Sequence, residues 1–399
     1  MKEERLQIGL FMDSFFPMVD GVCMVMDNYA RAMKPYADVT VFVPSLPGKP
    51  FDDSTLPYKV ERCRSWRMPV LDYSFPVPRF DRGFQKRLDR YQLDIVHLHS
   101  PFVMGLQGVR YARKHNIPVV ATMHSQFKQD MQRAVRSRAA AGLLNRIPMR
   151  VFDRCDACWA VNGAIATLFY EDYGCKVKPG VLRNATNMLP VPDRAEARKT
   201  INVRCDLSDT EKVFLFVGRL NALKNIFFLV DAVKILKERA PFPFKLLFVG
   251  SGQDEHSLRE KVKEAGMEKD VLLCGKVTDR ELLAAFYARA DLFLFPSYYD
   301  ASSIVQIEAA SQGTPTVFLE GAATASDVTD NVNGFVAKND PAAYAARVEA
   351  ILNDKALYAS VCENAKRDLY VTWDEVIRDV LARYIEQIEK KKYTKEESH

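Results

Sequence analysis

Short apolar runs alternate with amphipathic stretches along this chain, and after a proline-bearing break the alternation starts again. No other feature limits the fold so strongly. "LQIGLFMD", "DVTVFVPS", "DIVHLHS", "IPVVATMHS" and "DACWAVN" are strand-like, and helical patterns such as "GVCMVMDNYARAMK" separate them. Such alternation predicts a parallel sheet covered by helices. The break is "NMLPVPDRAEARK", with a linker expected at Leu189 to Asp193. Beyond it run "KVFLFVGR", "NIFFLVDAVKILKER", "KLLFVGSG", "VLLCG", "DRELLAAFYARA" and "DLFLFPS". A chain of 399 residues is too long for one ordinary core. The expectation is therefore an α/β protein of two doubly wound, Rossmann-like domains facing across a cleft, residues 1–190 and 191–375. Residues 376–399 should form a helix, "DEVIRDVLARYIEQIE", that packs back on the first domain, and then a frayed polar tail.

Composition narrows the class. With 48% apolar and 27% charged residues the chain is globular in type. No apolar run approaches the ~20 residues that span a bilayer. The start, "MKEERLQIGLFMDSF", has neither an apolar signal core nor a small-residue cleavage site. A cytoplasmic location follows as an expectation, free or peripheral on the cytosolic membrane face. Eight scattered cysteines suit a reducing compartment. Cys155 and Cys158 form a C-x-x-C, but no second pair stands at metal-binding spacing, so free thiols are expected and no obligate metal site.

The chemistry should gather at the strand ends. In "YYDASSIVQIEAASQGTP", Asp300 precedes a helix predicted from about Ile304 to Gln312, with Ser303 and Gln306 as a capping box and Gly313 and Pro315 as the stop. Glu308 lies in its second turn. The helix start falls at the carboxyl end of "DLFLFPS", the edge where open α/β sheets bind ligands and where unpaired N–H groups favour anions. "FVGRLNALKN" adds Gly218, Arg219 and Lys224 at another strand end; two cations there suit a diphosphate, although a solvated loop has the same composition. "FVGSGQD" supplies Gly250 and Gly252, where missing side chains would let the backbone approach a ligand. Helix side chains lean toward the N-terminus, so Glu308 can reach a ligand over that end.

Taken in order, Gly218-Arg219 with Lys224, the Gly250/Gly252 turn, "DLFLFPS" and the acid pair ahead of "ASQGTP" resemble the retaining glycosyltransferases of family 4, which have the GT-B fold. Gly21 in "FFPMVDGV" resembles that family's N-terminal glycine loop, so the likeness spans nearly the whole chain. The resemblance implies a nucleotide-sugar donor, usually a UDP-sugar, as substrate and no tightly bound cofactor. It implies that Arg219 and Lys224 hold the diphosphate, that Glu308 takes the ribose hydroxyls, and that Asp300 faces the sugar. Gly21, Gly218, Gly250, Gly252, Lys276, Val277, Ser302, Ser303 and Ile304 would complete the donor site. The family usually has Glu at Asp300, Phe-Gly near Ser302 and Ser303, and two glycines at Asp20-Gly21.

Histidines are few, and His97, His99 and His124 stand at strand ends. His97 reads as a core residue and His99 as lining the cleft. His124 resembles the family histidine that contacts the donor sugar's 6-hydroxyl. The resemblance further implies hexose transfer with retention, the acceptor attacking from the leaving group's face.

The acceptor is read from charge. From Gln126 to Arg154 seven basic residues stand against two acids. Arg133, Arg136, Arg138, Arg146 and Arg150, interleaved with Leu143, Leu144, Ile147, Met149 and Val151, would lay an amphipathic surface on anionic lipid; a solvated helix face is the other reading. A second basic segment, "PRFDRGFQKRLDRY", also looks helical. The overall pattern is most like bacterial membrane-lipid (diacylglycerol) glycosyltransferases, which implies a lipid acceptor and an anionic membrane surface as partners. Soluble or envelope-polysaccharide acceptors are the alternative, and a non-catalytic nucleotide-sugar-binding protein is a third reading. The basic runs lack aromatic interleaving, so no nucleic-acid partner is expected.

Overall fold

The computed structural model describes residues 5–18, 20–67, 74–126 and 148–396. They divide into two compact units. Unit 1 comprises Met1–Asn184 together with Trp373–His399, and unit 2 is Ala185–Thr372. The divisions at 184/185 and 372/373 stand a few residues from those read in the sequence.

Unit 1 is built on parallel strands in the order β3-β2-β1-β6-β7-β8-β9. Its strands are β1 (Leu6–Phe11), β2 (Ala37–Pro44), β3 (Lys59–Cys63), β6 (Ile95–Leu98), β7 (Val119–Met123), β8 (Ala157–Ala160) and β9 (Gly180–Val181). A separate hairpin joins β4 (Ser65–Arg67) to β5 (Ser74–Pro76). Both neighbours of β1 run parallel to it, with Leu6 beside Ala37 and Ile8 beside Ile95. The strands are apolar without alternation because helices cover both faces; Ile8, Leu10, Val41, Val96 and Val120 are fully buried.

Unit 2 has the order β12-β11-β10-β13-β14-β15. Here β10 is Lys212–Val217, β11 Phe244–Val249, β12 Val271–Gly275, β13 Leu292–Phe295, β14 Thr316–Leu319 and β15 Phe335–Ala337. Phenylalanines at 214, 216, 248, 293, 295 and 318 make its core aromatic.

In each sheet the strand order reverses once, between β1 and β6 and between β10 and β13. Ligands of open α/β sheets bind at such switch points, beyond the carboxyl ends of the strands.

The chain crosses between the units twice, and the crossings are joined: the Thr186 N–H donates to the Val371 carbonyl at 3.1 Å. The last helix, Trp373–Glu396, then belongs to unit 1. Trp373 packs edge-on against Tyr29, and Tyr384 bonds His97. This helix continues through the lysines expected to fray. Lys390 pairs with Glu386 one turn back, and Lys391 pairs with Asp156 at 2.9 Å. Among the described residues no helix is long and apolar enough to cross a membrane.

Candidate functional site

In unit 2 the expected cations and acids meet at the switch point. β10 ends at Val217, and Gly218 and Arg219 lead into a short turn, Ala222–Lys224, that starts the helix Ile226–Arg239. β13 ends at Phe295, and Ser297 and Asp300 precede the helix Ile304–Ser311. Lys224 Nζ forms a close ion pair with Asp300 Oδ1, both side chains being about five-sixths buried. Asp300 Oδ2 accepts from Ser297 Oγ at 2.6 Å. Asn225, left-handed at φ 59°, ties the two loops by donating to the Pro296 carbonyl at 3.3 Å. Arg219 stands exposed on the same edge.

Helix starts in this unit are of two kinds. Asp193, Asp279, Asp340 and Asp354 each cap their helices with a side-chain carboxylate. The helices at Ile226, Glu255 and Ile304 have no side-chain cap bond, and the first and last of these start at the switch point. The expected capping box is therefore not formed: Gln306 instead donates to the Thr324 carbonyl at 3.2 Å. The tertiary bond engages Nε2, while Oε1, which would accept from the Ser303 N–H in the box, has no hydrogen-bond partner. The consequence is two helix N-termini whose first N–H groups are not taken by a cap, beside Lys224 and Arg219. N–H groups of this kind, with the positive end of the helix dipole, attract anions.

Glu308 lies in the second turn, buried, with Oε1 bonded by Arg280 at 2.7 Å and Oε2 by Tyr287 at 3.0 Å. Burial and the adjacent carboxylate hold the Tyr287 phenol protonated, its pKa well above the ordinary value. Each carboxylate oxygen keeps a second lone pair, so Glu308 can still accept from a hydroxyl. Ser302, Ser303 and Ile304 are half-buried at this helix start. Lys276 and Val277 follow β12 on the same sheet edge, with Lys276 exposed.

The glycines have a packing role that the sequence reading did not include. A Cβ on Gly250 would lie 1.9 Å from the Gly218 carbonyl oxygen, and one on Gly252 would lie 2.1 Å from that of Leu220. These glycines let the loop after β11 pack on the loop after β10, the missing side chains making room for protein backbone. That packing is bonded too, through Leu220 N to the Ser251 carbonyl at 3.0 Å. It braces the Arg219 loop from behind.

In unit 1 the ends of β6 and β7 carry histidines in place of cations. His99 follows β6 and His124 follows β7; His99 Nδ1 and His124 Nε2 are 3.0 Å apart. Burial lowers the pKa of His124 to about 3 and that of His99 well below its ordinary value, so both rings are neutral. The other nitrogens, His99 Nε2 and His124 Nδ1, are shielded and have no hydrogen-bond partner. One proton lies between the rings and each ring carries one. Whichever ring donates, one of the two outer nitrogens is then a donor and the other an acceptor. A hydroxyl group has the matching pair of capacities. His97 is fully buried between Tyr384 and Thr122, the core role expected for it.

Beside the histidines stands Asp13, just past β1, which the motif reading missed. Its Oδ1 accepts from the Met104 N–H at 2.8 Å, capping the helix Val103–His115 from a distance, and its Oδ2 bonds Ser100 Oγ at 2.5 Å. Burial raises its pKa to about 6 against the opposing effect of these bonds. An acid directly after an apolar strand was the available signal. Arg280, Tyr287 and Ser297 were also missed; only Arg280, at a helix start next to a strand end, left a trace in the sequence.

Gly21 is the exposed first residue of the helix Gly21–Met33, with open space where a Cβ would stand. Asp20 caps that helix through a bond from Cys23 N at 2.8 Å. Of the basic run, Arg133, Arg136, Arg138 and Arg146 lie outside the described residues, as do Leu143, Leu144 and Ile147. Arg150 is exposed, whereas Met149 and Val151 are buried in unit 1. Those two residues serve the core, which removes them from the lipid-facing surface read in the sequence.

Comparison with known proteins follows the same division. Residues 19–188 match the model of Glycosyltransferase Family 4, and residues 198–368 match that of Glycosyl transferases group 1. An uncharacterised glycosyltransferase of Methanocaldococcus jannaschii is 31% identical over 317 residues, covering 74% of this chain and 76% of its own. The alpha-monoglucosyldiacylglycerol synthase of Streptococcus pneumoniae is 28% identical over 329 residues, 78% of this chain and 70% of the relative. Among solved structures, Anabaena Alr3699/HepE in complex with UDP and glucose superposes with a TM-score of 0.73 at 16% identity, over 95% of this chain and 99% of that one. Two Rossmann-like units with these matches make the chain a member of glycosyltransferase family 4, with the GT-B fold.

Proposed function

We propose that the protein transfers a hexose, glucose in the first instance, from a UDP-sugar to a membrane lipid such as diacylglycerol, with retention, forming an alpha-glycosidic bond. One observation carries the donor half: two helix N-termini without side-chain caps flank Lys224 and Arg219 at the unit 2 switch point. As the sugar leaves, negative charge builds on the diphosphate. Preformed N–H groups and cations stabilise that charge with little reorganisation. Lys224 exchanges Asp300 for phosphate, which releases the carboxylate toward the sugar. Glu308, held by Arg280 and Tyr287, accepts from the ribose. In unit 1 the His99–His124 pair offers one donor and one acceptor, the complement of a sugar hydroxyl. By resemblance, a diphosphate oxygen takes the acceptor's proton. Similarity to the streptococcal lipid synthase supports the lipid acceptor.

The test mixes purified protein with several UDP-sugars and diacylglycerol in anionic vesicles. Mass spectrometry identifies the glycolipid and NMR its anomer. Transfer only to water-soluble acceptors rejects the lipid, a beta product rejects retention, and no UDP release with any acceptor leaves a nucleotide-sugar-binding protein.

A further inference from the structure

Unit 1 carries a groove that the transferase reading does not use. It has a volume of about 350 Å³ and lies between the turn Pro78–Phe80, the helix Arg82–Leu88 and the helix Val103–His115. Arg79, Arg110 and Lys114 line it, with Asp89 as the one acid. Lys114 pairs with Asp89 at 2.7 Å, which cancels those two charges. Arg79 and Arg110 have no ion pair and no side-chain hydrogen bond among the described residues. Two uncompensated guanidiniums therefore share one concavity.

The neutral lining is ordered to match. Gln85 Nε2 donates to the Pro78 carbonyl at 2.9 Å, and Gln107 Nε2 donates to Gln85 Oε1 at 3.4 Å. Gln107 is only 6% exposed. Each amide has spent one hydrogen and keeps another. Tyr111 is fixed as a wall, since its hydroxyl accepts from Leu93 N and donates to the Tyr91 carbonyl. Leu88 gives the floor an apolar surface.

We propose that this groove binds a phosphate ester of a small polyol. Guanidinium forks bind phosphate oxygens in pairs, and Arg79 and Arg110 enter from opposite elements, the turn and the long helix. The volume lies at the lower end of ligand sites and exceeds the needs of a bare phosphate, leaving room for the esterified alcohol beside Gln85 and Gln107. The same chemistry is presented by a free phosphate ester and by a phospholipid headgroup. Phe80, 77% exposed next to Arg79, gives the rim an apolar residue that suits the latter source.

The experiment uses the full chain. Calorimetric titration with sn-glycerol 3-phosphate, and co-sedimentation with vesicles of phosphatidylglycerol in phosphatidylcholine, compare wild type with Arg79→Gln/Arg110→Gln. The double variant is expected to bind glycerol phosphate at least tenfold more weakly. Arg79→Lys/Arg110→Lys, which keeps charge but loses the forks, should lose about threefold. Arg82→Gln/Lys86→Gln, exposed cations outside the groove, should stay within twofold. A parallel fall in vesicle binding identifies a headgroup as the source, and a fall in soluble binding alone identifies a free ester. Equal binding by wild type and the double glutamine variant, or no binding of either probe by wild type, overturns the proposal. Loss of glycerol phosphate binding in Lys224→Ala instead moves the site to unit 2 and also overturns it. Because binding is read directly, failure of UDP release would break the transferase reading and leave this one standing.

Discussion

The two switch points share a topology and differ in charge. In unit 2 a lysine and an aspartate pair at the strand ends beside uncapped helices, whereas in unit 1 neutral histidines occupy the same position and a distant aspartate caps the helix. The difference teaches what a shared architecture leaves open. One scaffold makes an edge suited to a diphosphate, and the same scaffold with buried imidazoles makes an edge suited to hydroxyl groups. Which it becomes depends on whether helix N–H groups are left for a ligand or taken by a carboxylate.

The largest expected effect separates the two edges by turnover. Arg219→Ala or Lys224→Ala should lower kcat for UDP release by ~2 to 5 kcal/mol of barrier, roughly 30-fold to a few thousand-fold. His124→Asn should cost about tenfold, since it removes one hydrogen bond to a neutral group. Equal losses at the two edges would break the contrast.

Next comes stability confined to unit 2. Gly250→Ala drives a methyl into the Gly218 carbonyl and should destabilise that unit by about 3 kcal/mol. All three tryptophans, Trp66, Trp159 and Trp373, belong to unit 1, so their fluorescence reads that unit. Thermal scans should show the tryptophan transition unmoved while UDP binding is lost at a lower temperature.

Acid should strike unit 1 instead. His97, His99 and His124 are held neutral by burial, so the unfolded chain binds more protons below its ordinary histidine pKa near 6.5. Stability present above pH 6.5 is lost as pH falls toward 4, on the order of 3 kcal/mol for His124 alone. Denaturant midpoints followed by tryptophan fluorescence across that range test this; a flat profile contradicts it.

Asp13 gives the smallest effect and has the opposite sign. Its folded pKa of about 6 lies above the unfolded value, so it favours the fold at low pH and loses that contribution as pH rises from about 4 to 6. Asp13→Asn mimics the protonated form and should remain folded. It lacks the gain on acidification, so its acid loss should be steeper than wild type by about 2 kcal/mol.

Strand and helix placement was legible because apolar runs such as "KVFLFVGR" and "DLFLFPS" have no other stable environment than a covered sheet. The gathering of Arg219, Lys224, Asp300 and Glu308 at one edge followed from their positions just past strands or at helix starts. What sequence left hidden is long-range. Lys224 and Asp300 are 76 residues apart and His99 and His124 are 25 apart, and no local pattern announces either pair. The Ser303–Gln306 capping signal failed because Thr324, brought close only by the fold, holds the Gln306 amide nitrogen and leaves Oε1 off the Ser303 N–H. Gly250 and Gly252 were visible as glycines, but only the packing of two loops tells which side of each glycine is crowded.

The closing helix, Trp373–Glu396, has a consequence for biosynthesis. Tyr384, the hydroxyl partner of His97, is translated only after the whole of unit 2, so the segment up to Asn184 must wait with an unmatched interior while Ala185–Thr372 is made. A stop between Thr372 and Tyr384 would therefore injure unit 1, whose earlier strands are already made, and spare unit 2.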